Sequence, residues 1–269
     1  MTANSEFDSW SAGQSYEHYM GRWSRKVAAE FLRWLSPPAD ADWLEIGCGT
    51  GALTKAILNS AAPSSILATD QSSDFVAHAK SSTHDSRTEF KVAKAQELPC
   101  PDSSIDIVTS ALVLNFIPDN RTALEEMLRV LRPDGLLSFY VWDYPGGGMG
   151  FIDAFWKAAA EVDPAAAELD ESARFPFCTK AGLGQLCTDV GLRDVDISAI
   201  ETETEFPDFE AFWHPFTLGA GPAPGYCMSL PEIDRIKLKD HLAATLGTDG
   251  PIVLKARAWG VKAPKFAMT

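Results

Sequence analysis

Three closely spaced glycines follow a short apolar segment, and an aspartate lies further along the chain at a distance typical of nucleotide-binding sites. The apolar segment Asp42–Ile46 leads into Gly47, Gly49 and Gly51. Because glycine has no Cβ, a ligand can approach the backbone of such a turn closely. The N–H groups that begin the following helix can then bind a polar group of the ligand. Asp70, 23 positions after Gly47, can accept hydrogen bonds from both hydroxyls of a ribose.

Two kinds of cofactor match this arrangement. The spacing Gly47-x-Gly49-x-x-Ala52 satisfies the dinucleotide fingerprint, in which an acidic residue about 20 positions later is also expected. Glu45, however, stands two residues before the first glycine, and a pyrophosphate requires an approach without negative charge. A carboxylate at this position suits a ligand that carries an ammonium group, such as the methionine part of S-adenosylmethionine. The residues favour the second cofactor and leave the first open.

The composition excludes several classes of protein. The chain has 269 residues, 23 basic and 37 acidic, and a formal net charge of −14. Because nucleic-acid binding needs clustered cations, we expect no nucleic-acid substrate. The sequence has neither an apolar run of about 18 residues nor a secretory signal pattern, so we expect a cytoplasmic protein that does not enter a membrane. Its five cysteines have no ligand-like spacing, which predicts free thiols and no metal site.

Alternating strands and helices must position the glycine turn. The apolar periodicity predicts a first helix over Tyr16–Leu35, followed by a regular succession of strands and helices as far as Trp142. The predicted strands are Asp42–Ile46, Ser65–Thr69, Thr88–Ala93, Ile105–Ser110 and Leu136–Trp142, the predicted helices include Ala52–Ser60 and Asn120–Leu131, and Arg132–Gly135 is a predicted turn. This alternation predicts a doubly wound, parallel α/β sheet, in which ligands bind beyond the C-terminal strand ends.

The second half of the chain is less regular. We predict an aromatic helix at FIDAFWKAAAEV, a helix over Thr179–Val190, a strand over Leu192–Ile200 and a last strand over Ile252–Gly260. The segment Ser229–Glu232 has the form of a capping box and predicts a helix to about Leu246. We interpret residues 1–269 as a single domain. Its cofactor-binding core is about 40–142, and about 143–178 and 206–250 are inserted cap segments on the acceptor side.

Four motifs occur in the order found in one enzyme family. They are LEIGCGTGALT followed by Asp70, AQELPCPDSSIDIV (95–108), SALVLNFIPD (110–119) and EEMLRVLRPDGLL (125–137). Together they resemble the class I S-adenosylmethionine-dependent methyltransferases, in the small-molecule branch related to the ubiquinone and menaquinone-biosynthesis methyltransferases. The resemblance covers about residues 40–142. It implies a Rossmann-like methyltransferase fold with a mostly parallel, seven-stranded sheet. The implied activity is methyl transfer from S-adenosylmethionine to a small molecule, releasing S-adenosylhomocysteine.

The resemblance also implies roles for individual residues. Glu45 would help to hold the amino group of the cofactor, and Asp70 would bind its ribose hydroxyls. The other implied cofactor-binding residues are Gly47, Cys48, Gly49 and Gly51 in the turn, Gln71 beside the adenine, Ala95 and Gln96 at the adenine edge, and Ser110 and Leu112 against the methionine part. Lys94 stands where many relatives have an aspartate. A lysine cannot accept a hydrogen bond from the adenine amino group, so Gln96 or a backbone carbonyl would have to replace that contact.

The segment before the first strand allows two interpretations. Tyr16, Tyr19, Arg22 and Trp23 could form a lid over the cofactor, with Arg22 near the methionine carboxylate. They could equally belong to an ordinary amphipathic helix whose arginine extends to solvent.

The acceptor and any catalytic base are less clearly marked. The candidate catalytic residues are His214, Asp143 and Tyr144, and Asn115 could orient an acceptor. Some of the aromatic residues after the fifth strand are expected to form an apolar acceptor chamber. These are Trp142, Tyr144, Phe151, Phe155, Trp156, Phe175, Phe177, Trp213, Phe216 and Tyr226. The expected partner is therefore an apolar or aromatic small molecule. A protein that binds S-adenosylmethionine without catalysis and a nicotinamide-dependent oxidoreductase remain the alternatives.

Overall fold

The computed structural model describes residues 17–219 and 221–265, without the side chain of His18. Tyr16, which belongs to the predicted lid, lies outside these residues. Within them, seven strands form one sheet in the order β3-β2-β1-β4-β5-β7-β6. The strands are β1 Asp42–Ile46, β2 Ser65–Asp70, β3 Thr88–Val92, β4 Ile105–Ala111, β5 Leu131–Trp142, β6 Asp196–Phe206 and β7 Ile252–Pro264.

The first five strands are parallel, and β7 runs antiparallel to both β5 and β6. The prediction of a doubly wound, mostly parallel, seven-stranded sheet is confirmed. The main helices are α1 Arg22–Leu35, α2 Ala52–Ser60, α3 Ser73–Ser82, α4 Asn120–Val130, α5 Gly150–Val162, α6 Lys180–Asp189, α7 Pro222–Ser229 and α8 Glu232–Leu246. None of the helices in the described ranges is long and apolar enough to span a membrane.

The central strands are covered on both faces, as their near-continuous apolar sequences require. In β1, Trp43–Ile46 are all buried. Helix α1 contributes a buried stripe that includes Val27, Phe31 and Leu35, and the ring of Phe31 lies 4.6 Å from that of Tyr140 on β5. A π-helical turn, Glu17–Gly21, precedes α1, so within the described residues the predicted helix is present over 17–35 but changes its winding at Gly21.

Three local predictions are wrong. The predicted turn Arg132–Gly135 is a bulge inside β5, since Ile105 pairs with Leu131 whereas Ile107 pairs with Leu136. Backbone hydrogen bonds between this bulge and Lys265 keep it in the sheet, and the sequence offers no local sign of that distant partner.

The predicted capping box at the start of α8 is also absent. The Ser229 hydroxyl donates to the Tyr226 carbonyl oxygen (2.8 Å), because Ser229 is the last residue of α7. Helix α8 begins after Pro231 without a side-chain cap. The predicted strand Leu192–Ile200 is displaced as well. The strand occupies Asp196–Phe206, because the N–H of Leu192 is still bonded to the carbonyl of Cys187 in α6 (3.0 Å).

Candidate active site

A cavity of about 290 Å³ opens at the C-terminal ends of β2, β1, β4 and β5, the place where doubly wound sheets bind ligands. Its lining combines the glycine turn with residues from the neighbouring strand ends and from the start of the chain. The lining residues are Met20, Ser24, Glu45, Ile46, Gly47, Cys48, Gly49, Thr50, Ala52, Leu53, Asp70, Gln71, Ser72, Phe75, Ala93, Ala95, Gln96, Ala111, Leu112, Val113, Phe116, Ile117, Pro118, Tyr140, Trp142 and Tyr144.

The glycine turn has left-handed backbone at all three glycines, with φ of +71° at Gly47, +52° at Gly49 and +84° at Gly51. A Cβ on Gly47 would lie 2.4 Å from a methyl of Val113, whereas a Cβ on Gly49 would meet no atom within 4 Å. Gly51 precedes α2 as its N-cap and is not on the cavity wall. Each glycine thus meets a conformational need, but only Gly47 and Gly49 face the cavity.

Asp70 is held in place by two backbone N–H groups. The N–H of Gly49 donates to Oδ2 (3.0 Å) and the N–H of Ser72 donates to Oδ1 (2.9 Å). Burial raises the pKa of Asp70, and these two N–H donors limit that rise. A carboxylate oxygen can accept more than one hydrogen bond. Asp70 can therefore accept from a pair of vicinal hydroxyls while it stays anchored to the glycine turn.

Glu45 is a buried carboxyl group on the cavity wall, 1% exposed. The Thr54 hydroxyl donates to its Oε2, and its Oε1 has no partner among the described residues. Burial raises the pKa of Glu45 to about 8. The negative charge of Asp70 adds to this rise and the Thr54 hydrogen bond opposes it. A cationic ligand group would stabilise the ionised form of Glu45, whereas a diphosphate would find no counter-charge at this carboxyl group and would oppose its ionisation.

The β2 and β3 side of the cavity supplies a slot lined by both apolar and amide side chains. Gln71, Phe75, Ala95 and Gln96 line it. The Lys94 side chain is exposed and is not part of the wall, so the departure from the family pattern at this residue lies outside the cavity. A planar base in this slot would meet apolar surface on its faces and the amides of Gln71 and Gln96 at its edge.

The β4 and β5 side is apolar and aromatic. Leu112 follows β4 with a φ of +60°, a strained conformation for a leucine, and its N–H donates to the Tyr140 carbonyl oxygen (2.8 Å). Trp142 lines this side, is 1% exposed, and has no partner for its indole N–H in the part of the chain that the structure describes. Asn115 lies off the wall between lining residues. It is 6% exposed, and neither of its amide atoms has a partner within 17–219 or 221–265.

Of the predicted lid residues, the three that the structure describes do not line the cavity. Tyr19 packs edge-on against the rings of Phe151 and Phe216. The Arg22 guanidinium lies over the ring of Trp23 at 4.2 Å, and Trp23 itself packs on a phenylalanine of β6. Two residues from the same part of the chain, Met20 and Ser24, face the cavity instead. The chain start therefore contributes to the wall, but through another face of the helix.

Of the remaining predicted residues, one lines the cavity and three do not. Tyr144 lies on the wall. Ser110 is buried behind it, where its hydroxyl donates to the Ile46 carbonyl oxygen (3.0 Å) and joins β4 to β1. Asp143 is buried and turned to structural partners, the Gly146 N–H (3.0 Å) and the Arg257 guanidinium (3.4 Å). His214 is exposed on the 3₁₀ turn His214–Leu218, so the structure does not bring it to the cavity.

Of the ten aromatic residues expected to surround an acceptor, Trp142 and Tyr144 line the cavity. Several of the others pack on one another. The rings of Phe155 and Phe216 are stacked at 4.4 Å, and Tyr226 contacts both Phe155 and Trp156. Sequence reasoning assigned no cavity role to Met20, Ser24, Val113 or Ile117. The spacing of Met20 and Ser24 (i, i+4) was the available signal for a shared helix face.

The fold and the cavity together suit a nucleotide-like cofactor that carries a ribose and a cationic group. Residues 44–139 match the family model described as "Methyltransferase domain". The chain is 34% identical over 113 residues to a demethylmenaquinone methyltransferase from Bacillus licheniformis, covering 41% of this chain and 49% of the relative. Residues 44–139 are thus a class I S-adenosylmethionine-dependent methyltransferase domain, related to the quinone-biosynthesis enzymes.

Solved structures share the fold over most of the chain. The YcgJ protein of Bacillus subtilis has a TM-score of 0.59 and 17% identity, covering 90% of this chain and 99% of its own. Phosphoethanolamine N-methyltransferase 2 of Haemonchus contortus, in complex with S-adenosyl-L-methionine, has a TM-score of 0.58 and 14% identity. That match covers 94% of this chain and 58% of the Haemonchus chain. The present chain spans about half the length of the demethylmenaquinone methyltransferase that it matches.

Proposed function

We propose that this protein transfers a methyl group from S-adenosylmethionine to an apolar or aromatic small molecule, releasing S-adenosylhomocysteine. One observation carries the proposal. A buried carboxyl oxygen of Glu45 without a partner and the anchored carboxylate of Asp70 share one cavity on adjacent strands. A ligand with an ammonium group and a ribose diol satisfies both, whereas a dinucleotide would place a diphosphate beside Glu45.

The residues of this chain would act mainly by positioning. When bound, S-adenosylmethionine supplies a methyl group that its sulfonium already activates for in-line displacement. Asp70 fixes the ribose, Glu45 holds the ammonium group, and Gln71 and Gln96 border the adenine. Alignment of two reactants in this way can be equivalent to an effective molarity of about 10⁵–10⁸ M. The apolar wall around Trp142 excludes water from the path of transfer.

Proton removal by the protein has little structural support. In the described chain, the cavity wall formed by β4, β5 and the residues after them carries no Asp, Glu or His. Among the three catalytic candidates, Tyr144 lies on this wall, where it would contact the acceptor. Asp143 and His214 would need a rearrangement to reach it. We therefore propose an acceptor whose reacting atom is nucleophilic without a strong enzymatic base.

Calorimetric titration with S-adenosylhomocysteine and, separately, with NADH tests the cofactor. We expect binding of the first ligand only. Asp70→Ala should weaken it by about a hundredfold or more, because two charge-assisted hydrogen bonds are lost. Asp85→Ala is the matched control. Asp85 also accepts the N–H of the residue two positions later (3.0 Å), but it lies away from the cavity, so this variant should bind normally.

The two alternatives predict different results in the same experiments. Binding of NADH alone would identify an oxidoreductase and refute the proposed cofactor. The protein could also bind S-adenosylhomocysteine but form none of it from S-adenosylmethionine with any of a broad panel of aromatic acceptors. That result would identify a binding protein without catalysis.

A further inference from the structure

The cavity has a part that the cofactor proposed above would leave free. The strands that form its floor are adjacent in the order β2-β1-β4-β5, and neighbouring strands lie about 4.8 Å apart. The end of β5 is therefore about 14 Å from the strand of Asp70. A ligand held by Asp70 on β2 and Glu45 on β1 leaves the β5 end for a second molecule. This inference rests on the proposed function.

We call this part the acceptor end and define it by Phe116, Tyr140, Trp142 and Tyr144. Three of the four are tyrosine or tryptophan, and flat rings pack well against such side chains. Across the whole described lining of the cavity there is no Lys, Arg or His. A buried anion at the acceptor end would thus lack a counter-charge, which makes its transfer from water unfavourable. Neutral molecules fit this end best.

Trp142 lines the acceptor end and carries a polar group that has no partner among the described residues. It is the last residue of β5, it is 1% exposed, and its indole N–H finds no partner among the residues described. The indole N–H is a donor only, and a buried donor without a partner is unfavourable. An acceptor molecule that presents an oxygen to this N–H would relieve that cost.

We infer that Trp142 is a specificity-determining residue, whose indole N–H donates a hydrogen bond to an oxygen of the methyl acceptor. The acceptor is then a neutral, flat, largely apolar molecule with a carbonyl or phenol-type oxygen. Trp259 on the adjacent strand β7 provides a comparison within the same sheet. Its indole N–H is also without a partner in the described ranges, but the residue is not on the cavity wall.

The experiment uses ¹⁵N-labelled protein saturated with S-adenosylhomocysteine and two probes of nearly the same shape. Acetophenone has a carbonyl oxygen, and α-methylstyrene has a methylene group in its place. We expect acetophenone to move the indole N–H cross-peak of Trp142 downfield and α-methylstyrene not to do so. The cross-peak is assigned by its loss in Trp142→Phe, and that of Trp259 by its loss in Trp259→Phe.

The affinities give a second readout. Trp142→Phe should bind acetophenone about three- to tenfold more weakly, the loss expected for one neutral hydrogen bond. The same substitution should weaken the binding of α-methylstyrene less, because this probe loses ring packing but no hydrogen bond. Trp259→Phe should leave the affinities for acetophenone, α-methylstyrene and S-adenosylhomocysteine unchanged.

Three outcomes would overturn the inference. They are a Trp142 cross-peak that does not respond to acetophenone, one that responds equally to α-methylstyrene, and tighter binding of benzoate than of acetophenone. All three results are read on the unmodified protein, whose Trp142 cross-peak is assigned by triple-resonance experiments if Trp142→Phe fails to fold. Failure of the proposed function would instead appear earlier, as absence of S-adenosylhomocysteine binding.

Discussion

At the scale of single residues, Glu45 shows how one side chain links the fold to ligand binding. Its carboxyl group is buried, and burial raises its pKa to about 8. At neutral pH the ligand-free protein therefore holds this group mainly in its protonated form. A ligand ammonium beside Oε1 would favour the ionised form, because an opposite charge at contact distance lowers the pKa of an acid.

Binding of the cofactor should consequently release a proton from Glu45. We predict a release approaching one proton at pH 7, measured by titration calorimetry with S-adenosylhomocysteine in phosphate and in Tris, which differ in ionisation enthalpy. The affinity for S-adenosylhomocysteine should rise as the pH increases to about 8, because above this pH Glu45 is already ionised before the ligand binds. Glu45→Gln should release no proton and bind on the order of ten- to a hundredfold more weakly, because a charge-assisted hydrogen bond is lost.

Asp70→Ala serves as the control for this proton release. Whatever affinity remains in that variant should still be accompanied by proton release, since Glu45 is intact. Equal heats in the two buffers for the unmodified protein would show that Glu45 does not change its protonation on binding.

At the scale of structural elements, the turn between β1 and α2 contains two glycines that are required for different physical reasons. Gly47 and Gly49 both have positive φ, a conformation that costs an alanine about 1–2 kcal/mol. Their surroundings differ, because a methyl on Gly47 would overlap Val113 whereas one on Gly49 would extend into open space. Packing of the fold restricts the first glycine, and room for a ligand restricts the second.

Gly49→Ala should therefore lose cofactor binding while it keeps most of its stability. We expect a loss of about 1–2 kcal/mol in the free energy of unfolding, from backbone strain alone, and no detectable binding of S-adenosylhomocysteine. Gly191→Ala is the matched control. Gly191 has a φ of +81° and open space around it, away from the cavity, so this variant should lose similar stability but bind normally.

Gly47→Ala should be less stable than Gly49→Ala and Gly191→Ala, because overpacking against Val113 adds to the backbone strain. We expect it to lose about 2–5 kcal/mol in the free energy of unfolding relative to the unmodified protein. Urea unfolding followed by tryptophan fluorescence measures all three. Normal binding by Gly49→Ala would show that the ligand does not approach this turn closely.

The same elements show what the sequence could predict. The bounds of β1 and α2 were predicted correctly because apolar runs, glycines and helix starts are local signals. The face that α1 turns to the cavity was predicted wrongly, because periodicity shows which residues are apolar but not which neighbours they contact. Trp23 packs against Phe206 of β6, about 180 positions away, and Met20 and Ser24 therefore face the cavity. His214 was proposed from its aromatic surroundings, and only tertiary structure places it on the surface.

At the scale of the whole molecule, the acidic side chains fall into two sets with opposite effects on stability. Hydrogen bonds from Arg129 lower the pKa of Glu126, and the Asp42 N–H and Arg132 together lower that of Asp106 despite partial burial. Such groups stabilise the fold above their ordinary pKa, and this contribution is lost as the pH falls. Glu45 and Glu171 have raised pKa values. They keep a proton that the unfolded chain has already released, so they destabilise the fold as the pH rises.

The free energy of unfolding should therefore be greatest near pH 5–6 and decline towards pH 9. Glu171 provides the sharpest test. It is 1% exposed, accepts the indole N–H of Trp156, and burial raises its pKa to about 7. Glu171→Gln keeps an acceptor for Trp156 but cannot ionise, so at pH 8 it should be more stable than the unmodified protein by on the order of 1–3 kcal/mol. Glu168→Gln, at an exposed position, is the matched control for the substitution itself. Urea unfolding at pH 5, 6, 7, 8 and 9 measures these differences, and a stability that increases steadily from pH 5 to pH 9 would contradict the argument.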